Sequence, residues 1–465
     1  MLNQFLEDHR LIKILTLIFS LILVAFSILY YKERVIMYDT SYYFFYLLQK
    51  QNFVIQHNRI GAVFTQILPL LAIALKMPLK LIAILYSVNA FLFYSVSAFI
   101  AGWFLKNWRV AILIAATPFV FATEENFWIV TEAQFIVPIW LLIYAFIDKH
   151  LDFNLLQYLL LGAIMFFGIT IHPTSIFAFG FLWLFLFIQS KHTYRFLFVL
   201  IFIFVGLYLL KKLFLPSSYY EGNAFTRLNF VYYLFPNFFD ISSNRLLMSH
   251  FFDRFLGISV LLFVGIALLS FFTKWWKAFL YFFSLCFIIL FINVCFYDLY
   301  DRDLILFENY YQSIFFGLAL LFTYDYKDRA VKILLLVIIV FLFTKGVIRS
   351  KDMSGKYTAR IHWLRHNLKL CKEEKLIFDW GNAPQEQLIM RWCVPFETAI
   401  LSSMEYGKTQ TIFLYEGESE KKLALTESSY FLNIIGNIKI SNVNNDFVYF
   451  SDSLNVYKEI EDCQK

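Results

Sequence analysis

The sequence predicts an all-α polytopic membrane protein of about eleven transmembrane helices, with interfacial helices in the first outer loop and a small α/β soluble domain at the C terminus. Composition is the first reason. Of 465 residues, 60% are hydrophobic and 16% charged, where a globular chain runs nearer half and a quarter. Segregation is the second. The apolar residues fall in runs of about 15 to 25, long enough at 1.5 Å per residue to cross a hydrocarbon core of about 30 Å. Lipid offers backbone amides no partner, so such runs are helical. The third reason is charge, which sits in the breaks between runs and is basic at every second break.

The first run, Leu11 to Tyr31, follows Arg10 and Lys13. It is too long for a signal h-region and ends in Tyr-Tyr-Lys-Glu without a small-residue cleavage site, so it reads as a retained helix. Further spans are expected near 80–104, 109–123, 132–147, 154–171, 174–189, 195–213, 254–272, 277–297, 304–323 and 330–346. The segment Ile60–Met77 is apolar but contains Pro69, and it either spans or lies in the interface. Charge separates the two readings. If it does not span, the breaks with Lys106/Arg109, Lys149, Lys191/Arg195, Lys274/Lys277 and Lys327/Arg329/Lys332 share a side with Arg10 and Lys13, which is the positive-inside pattern. If it spans, all five move to the opposite side. The first arrangement places the N terminus in the cytoplasm and the tail outside. The abundance of Phe, Ile, Lys and Asn matches an AT-rich bacterial genome, so the expected location is a bacterial cytoplasmic (inner) membrane with the C-terminal domain periplasmic.

The chain divides into a transmembrane domain, 1–346, and a soluble domain, 347–465. In the tail, Tyr357–Leu370 and Pro395–Met404 look helical, while Lys375–Trp380, Thr409–Tyr415, Ile438–Ser441 and Asp446–Phe450 look like strands. Cys286 and Cys295 lie in an apolar run and read as packing residues. Outside the cytoplasm a Cys371–Cys393 disulfide becomes a candidate. The net charge of +6 follows from topology. No basic tract carries interleaved stacking aromatics, which sets nucleic acid aside as a partner. No Walker loop, GxGxxG, CxxC, HExxH or GxSxG occurs, and the inner loops are too short for a nucleotide-binding domain.

The outward-facing breaks hold the residues with chemistry. The first outer loop, about 32–79, is long for a helix connection. In it the Thr40/Ser41 pair is expected to cap an interfacial amphipathic helix. Asp39 sits at that helix's positive end, either as an N-cap or as a general base for an acceptor hydroxyl. His57-Asn58-Arg59 follows, either a lipid head-group contact or a ligand for the phosphate of a lipid-linked substrate. Glu124-Glu125 form a tight acidic turn that can hold a divalent cation or orient an acceptor, with Glu132 in the first turn of the next helix, where an acid is favourable without any function. His172-Pro173 separates two spans, with Thr174 or Ser175 as cap; His172 is an interfacial histidine or a substrate contact. Asp298 to Gln312 is the densest polar stretch before the tail. It contains Arg302, a phosphate ligand by preference, and then Glu308 and Tyr310, polar groups entering a span, where such groups tend to mark function.

This layout resembles the GT-C superfamily of membrane glycosyltransferases, among them protein O-mannosyltransferases and the aminoarabinose transferase that modifies lipid A. The resemblance covers 1–346. It consists of a retained first helix, a long first outer loop opening on Asp39, interfacial segments around Tyr42–Gln51 and Ile60–Met77, and a basic inner turn Lys106-Asn107-Trp108-Arg109. A helix with Thr117-Pro118 then leads to the acidic turn Glu124-Glu125. The resemblance implies transfer of a sugar, with inversion, from a polyprenyl-phosphate carrier to a glycan, lipid or protein acceptor on the periplasmic face. Asp39 would be the base, Glu124 or Glu125 the second acid, and an outer Arg the phosphate ligand, with a divalent cation in some branches. Many members carry two adjacent acids in the first loop, whereas Asp39 stands between Tyr38 and Thr40. Two other classes fit the same residues. A transporter or flippase of a lipid-linked glycan would place its polar site near the midplane, where only groups such as Asn89 and Asn293 lie. A glycan polymerase or ligase, or an inactive scaffold, would rely on a long late loop such as 214–253.

Overall fold

The structure, a computed structural model, describes residues 10–129, 132–215, 240–295, 304–450 and 455–463. Arg302 and most of the 214–253 loop therefore lie outside the described residues. The chain is mostly helical, with a small sheet near the C terminus. Among the described residues, five helices are long and apolar enough to cross a membrane: α1 (Arg10–Leu29), α5 (Leu79–Phe99, prolonged by a π turn to Phe104), α10 (Tyr194–Phe214), α13 (Trp275–Cys295) and α16 (Arg329–Leu370). Shorter apolar helices occupy the other expected span positions: α6 (Trp108–Phe121), α8 (Leu155–Ile171), α9 (Ser175–Gln189), α12 (Leu256–Phe272) and α15 (Gln312–Thr323), and α7 (Ile136–Lys149), while the segment Ile60–Met77 contains α4 (Val63–Ala74). Phe202 and Phe271 on these helices are 75% and 83% exposed, a surface that water would not favour and lipid would.

α6 is buried throughout except at Arg109 in its first turn and forms the axis of the bundle. Pro118 inside it removes an N–H that Ile114 O would have accepted; Thr117 Oγ1 donates to that carbonyl instead, at 3.1 Å. Two neighbours approach so closely that only glycine fits. A Cβ at Gly346 of α16 would collide with the carbonyl of Phe119, and one at Gly257 of α12 with that of Val120. The basic breaks gather at one end of the bundle, where Arg109 pairs with Asp325 at 3.1 Å and Lys191 with Asp148 at 3.0 Å.

Four local expectations change. The span expected at 304–323 is two helices, α14 (Leu304–Tyr310) and α15, broken at Tyr311. The last span and the helix expected at 357–370 are one 42-residue helix, α16, so residue 346 falls inside a continuous helix. The strand expected at 446–450 is a turn, because Asn444 and Asp446 are engaged by Gln49 and Gln51. Cys371 is bonded to Cys463, not Cys393, which stays free and buried. Its cause is strand order. β1 (Lys375–Asp379) lies between β2 (Thr411–Tyr415) and β5 (Lys458–Glu459), all parallel. With β5 as the neighbour of β1, the 3-10 turn that follows it (Ile460–Cys463) packs back on β1 and on α16, and this brings Cys463 to Cys371, just before β1. α18 (Val394–Tyr406) packs on β2 as the crossover between β1 and β2, and β3 (Tyr430–Phe431) pairs with β4 (Ile438–Lys439) in a separate antiparallel ribbon.

The tail packs on the first loop. α3 (Tyr38–Lys50) presents Phe45 to Phe431, stacked at 5.2 Å between centroids, and to Phe396. Lys32, beside α3, reaches Glu405 of α18. The loop helix is thus clamped between the bundle and the C-terminal sheet.

A cavity between the first loop, the bundle and the tail

Where the loop, the bundle end and the tail meet, a cavity of about 320 Å³ is lined by Asp39, Tyr42, Tyr43, Gln56, His57, Arg59, Trp128, Glu132, His172, Leu306, Asn309, Tyr310, Trp392 and Ile435. It lies at the end of the bundle opposite the basic breaks. Five of the residues expected from sequence converge there: Asp39, His57, Arg59, His172 and Tyr310. They come from four separate stretches of chain.

Asp39 owes its position to the tail. α3 starts at Tyr38, so Thr40 and Ser41 lie in its first turn rather than at the cap. The capping role falls to Glu397 of α18, whose Oε1 accepts the Tyr38 N–H at 2.7 Å. Glu397 is itself held by Arg360 of α16 through a two-pronged pair, Nη2 to Oε2 2.7 Å and Nε to Oε2 3.0 Å, with both residues fully buried. The Arg360 guanidinium also lies 4.6 Å over the Tyr38 ring. Tyr38 has φ +38°, a left-handed backbone uncommon for a bulky residue and tolerated where surrounding contacts over-determine it.

Two more left-handed residues, His57 and Asn58, turn the loop back toward α3. Gln66 of α4 pins this loop, accepting the Val54 N–H at 2.7 Å and donating to Val54 O at 2.9 Å. Gln56 bridges the tyrosines, accepting from Tyr43 Oη at 2.9 Å and donating to Tyr42 Oη at 3.2 Å. Arg59 then reaches Glu132, Nη1 to Oε2 3.5 Å.

Burial pushes the Asp39 carboxyl up to about 6. It pushes Glu132 up to about 7 against the opposing pull of Arg59, with the nearby Asp39 adding to the rise. His172 is held well below the usual imidazole range by burial and by the nearby Arg59 and Lys211 cations. Its Nδ1 accepts the Thr174 N–H at 3.3 Å and lies 2.9 Å from Thr174 Oγ1. A backbone amide only donates, so the neutral ring carries its proton on Nε2. The aromatic wall is Tyr42, Tyr43, Trp128, Tyr310 and Trp392; Tyr42 and Trp392 meet edge to face at 5.6 Å.

The remaining expected residues sit elsewhere. Glu124, Glu125 and Glu308 do not line the cavity; they knit the buried turn beneath it. Glu308 accepts the Thr123 and Glu125 N–H groups at 2.9 and 2.8 Å. Glu124 pairs with Lys356 at 2.9 Å and faces Arg254 at 3.7 Å, and Glu125 is bonded by Gln312. The acid that faces the cavity beside Asp39 is Glu132. Its place in a 3-10 turn (Glu132–Phe135), ahead of α7 rather than inside it, puts it there. The tail stretch Trp392 to Glu397 reads in sequence as either an acceptor contact or packing, and docking of the tail brings Trp392 to the cavity wall.

Hard divalent cations take six or more oxygen ligands. Mg²⁺ takes several of these from water and substrate phosphate and one or two from carboxylates; Asp39 and Glu132 are the two acids that line the cavity, and Glu132 is bonded to Arg59. Among the described residues, the grouped metal-type side chains Cys371, Glu373 and Cys463 include both halves of the disulfide. Comparison with protein-family models, curated proteins and solved structures returned no match.

Proposed function

We propose that the chain is a multi-pass inner-membrane glycosyltransferase of GT-C-like design. It would move a sugar from a polyprenyl-phosphate carrier to a glycan, lipid or protein acceptor at the periplasmic face. In this reading about eleven helices span, the basic bundle end faces the cytoplasm, and the cavity and the tail lie outside, where a Cys371–Cys463 disulfide is at home. The observation that carries it is one cavity walled by a carboxylate, a histidine–arginine pair and five aromatic rings.

Each part has a task in such a transfer. Asp39, with its affinity for protons raised to about 6, is ionised near neutrality yet basic enough to take a proton, the range general bases favour. It removes the acceptor hydroxyl proton as that oxygen bonds to the anomeric carbon. The bond from that carbon to the carrier phosphate breaks, and the lipid phosphate leaves with the electron pair. Arg59 and His57 face the leaving phosphate, for which a guanidinium is well shaped. The neutral His172 donates from Nε2 to a sugar or phosphate oxygen. The rings offer flat apolar faces to the sugar. Glu132 holds Arg59 in place.

The test uses full-length protein in membranes, a set of radiolabelled polyprenyl-phosphate sugars and cell-envelope glycan as acceptor. Wild type is expected to transfer label from one donor, and Asp39→Asn to lose at least about a hundredfold of that rate. Transfer undiminished in Asp39→Asn removes Asp39 as base. Absence of transfer from every donor moves the weight to transport of a lipid-linked glycan.

A further inference from the structure

The larger cavity lies at the opposite, basic end of the bundle and has no part in the reading above. Its volume is about 480 Å³, and its lining changes character with depth. The mouth carries Arg109, Lys327, Arg329 and Lys332. Below them the walls are Ile112 and Leu113 of α6, Phe322 of α15, and Ile333, Leu336 and Ile339 of α16. From Lys332 to Ile339 the helix descends about 10 Å, so a cationic rim stands over an apolar shaft about two thirds of a leaflet's hydrocarbon depth.

Geometry from four elements agrees on which end this is. The cavity touches the first turns of α1 (at Ile12), α6 (at Arg109) and α16 (at Arg329 and Lys332), and the last turn of α15 (at Phe322). Three of those are helix N-termini, whose dipoles add to the positive field. Opposing charge is small. Asp325 is bonded to Arg109 at 3.1 Å, and Asp328 caps α16 by accepting the Ala330 N–H at 2.8 Å. Net positive charge therefore remains at the rim.

We infer that this cavity is a binding site for one anionic phospholipid. Its phosphodiester would sit among Lys327, Arg329 and Lys332, and an acyl chain would fill the shaft toward Ile339. The argument is charge complementarity above an apolar channel. A free phosphate satisfies only the rim, and a zwitterionic lipid brings to that rim an ammonium that its cations repel. A generally basic membrane surface accounts for neither the depth nor the enclosing walls.

The experiment is native mass spectrometry of the full chain released from detergent, counting retained phosphatidylglycerol against phosphatidylcholine with the same chains. Glycerol phosphate serves as a chainless competitor. Wild type is expected to retain one phosphatidylglycerol, with little phosphatidylcholine and no displacement by glycerol phosphate. A Lys or Arg near the membrane surface contributes about fivefold in affinity. Arg329→Gln and Lys332→Gln are therefore each expected to lower retention by about that factor. Leu336→Trp fills the shaft without altering a charge and is expected to abolish the tightly held lipid; where it fails to fold, Ile333→Trp replaces it. Equal retention of both lipids, or retention unchanged in the tryptophan variants, overturns the site and leaves only surface attraction. Displacement by glycerol phosphate overturns the lipid as its ligand.

Discussion

At the scale of single residues the cavity concentrates two buried acids, and their titration makes a prediction independent of any substrate. Burial lifts Asp39 from 3.8 to about 6 and Glu132 from 4.5 to about 7. Between about pH 4 and 7 the folded protein thus holds protons that the unfolded chain has released. Stability then falls as pH rises through that window and stays low above it. The unfolding temperature in detergent is expected to drop between about pH 4 and 7. Asp39→Asn and Glu132→Gln should each flatten the slope, because neither replacement ionises. Slopes unchanged in both variants would contradict the burial of these groups. His172 contributes with the opposite chemistry. Held neutral well below its usual range, it stays uncharged while the unfolded imidazole takes a proton, so its contribution falls as pH drops below about 6.5 and opposes that of the two acids there.

At the scale of elements the decisive feature is α3, and what holds it explains how much of the site was legible. Asp39, His57, Arg59, His172 and Tyr310 were readable as polar residues at breaks, since breaks between apolar runs are where loops and chemistry collect. Their convergence was not readable, because it depends on helix packing. Glu124, Glu125 and Glu308 have the same sequence signature as Glu132, yet they satisfy backbone amides and cations in a buried turn. Only tertiary contacts separate the two kinds of acid. Spans were legible as apolar runs. The break at Tyr311 was not, because no Gly or Pro marks it, and the continuity of α16 was not, because Gly346, Gly355 and the polar stretch between them read as an end. Nothing local marks Glu397 as the cap of α3, more than 350 residues away in sequence. Its importance is testable. Removing one partner of a buried ion pair costs about 3–5 kcal/mol, so Arg360→Met is expected to destabilise by about that much. Glu397→Gln keeps an acceptor for the Tyr38 N–H and should cost less. Arg360→Met also takes the guanidinium away from the Tyr38 ring, so transfer should fall more than stability does. Full activity in Arg360→Met, with the fold intact, would show that α3 needs no support from the tail.

At the scale of the whole molecule, the sheet and the bundle are joined by α16, by the α3 clamp and by the Cys371–Cys463 bond across 92 residues. That bond ties the end of α16 to the far edge of the sheet, so it encloses nearly the entire tail. Closing a loop of this length in the unfolded chain contributes about 4 kcal/mol. Only an oxidising compartment preserves it, which makes the bond report on topology as well as stability. Two measurements on one protein then answer together. Protein isolated from membranes under thiol block should show no free thiol at Cys371 or Cys463, whereas the buried Cys393 becomes reactive once the chain is unfolded. Cys463→Ser should lower the unfolding temperature of the tail and, through α18 and Glu397, loosen the grip on α3 and Asp39. Free thiols at both positions would place the tail in the cytoplasm, reversing every span and moving the cavity to the inner face. An oxidised pair together with an undiminished unfolding temperature in Cys463→Ser would keep the topology and assign the tail's stability to its core alone.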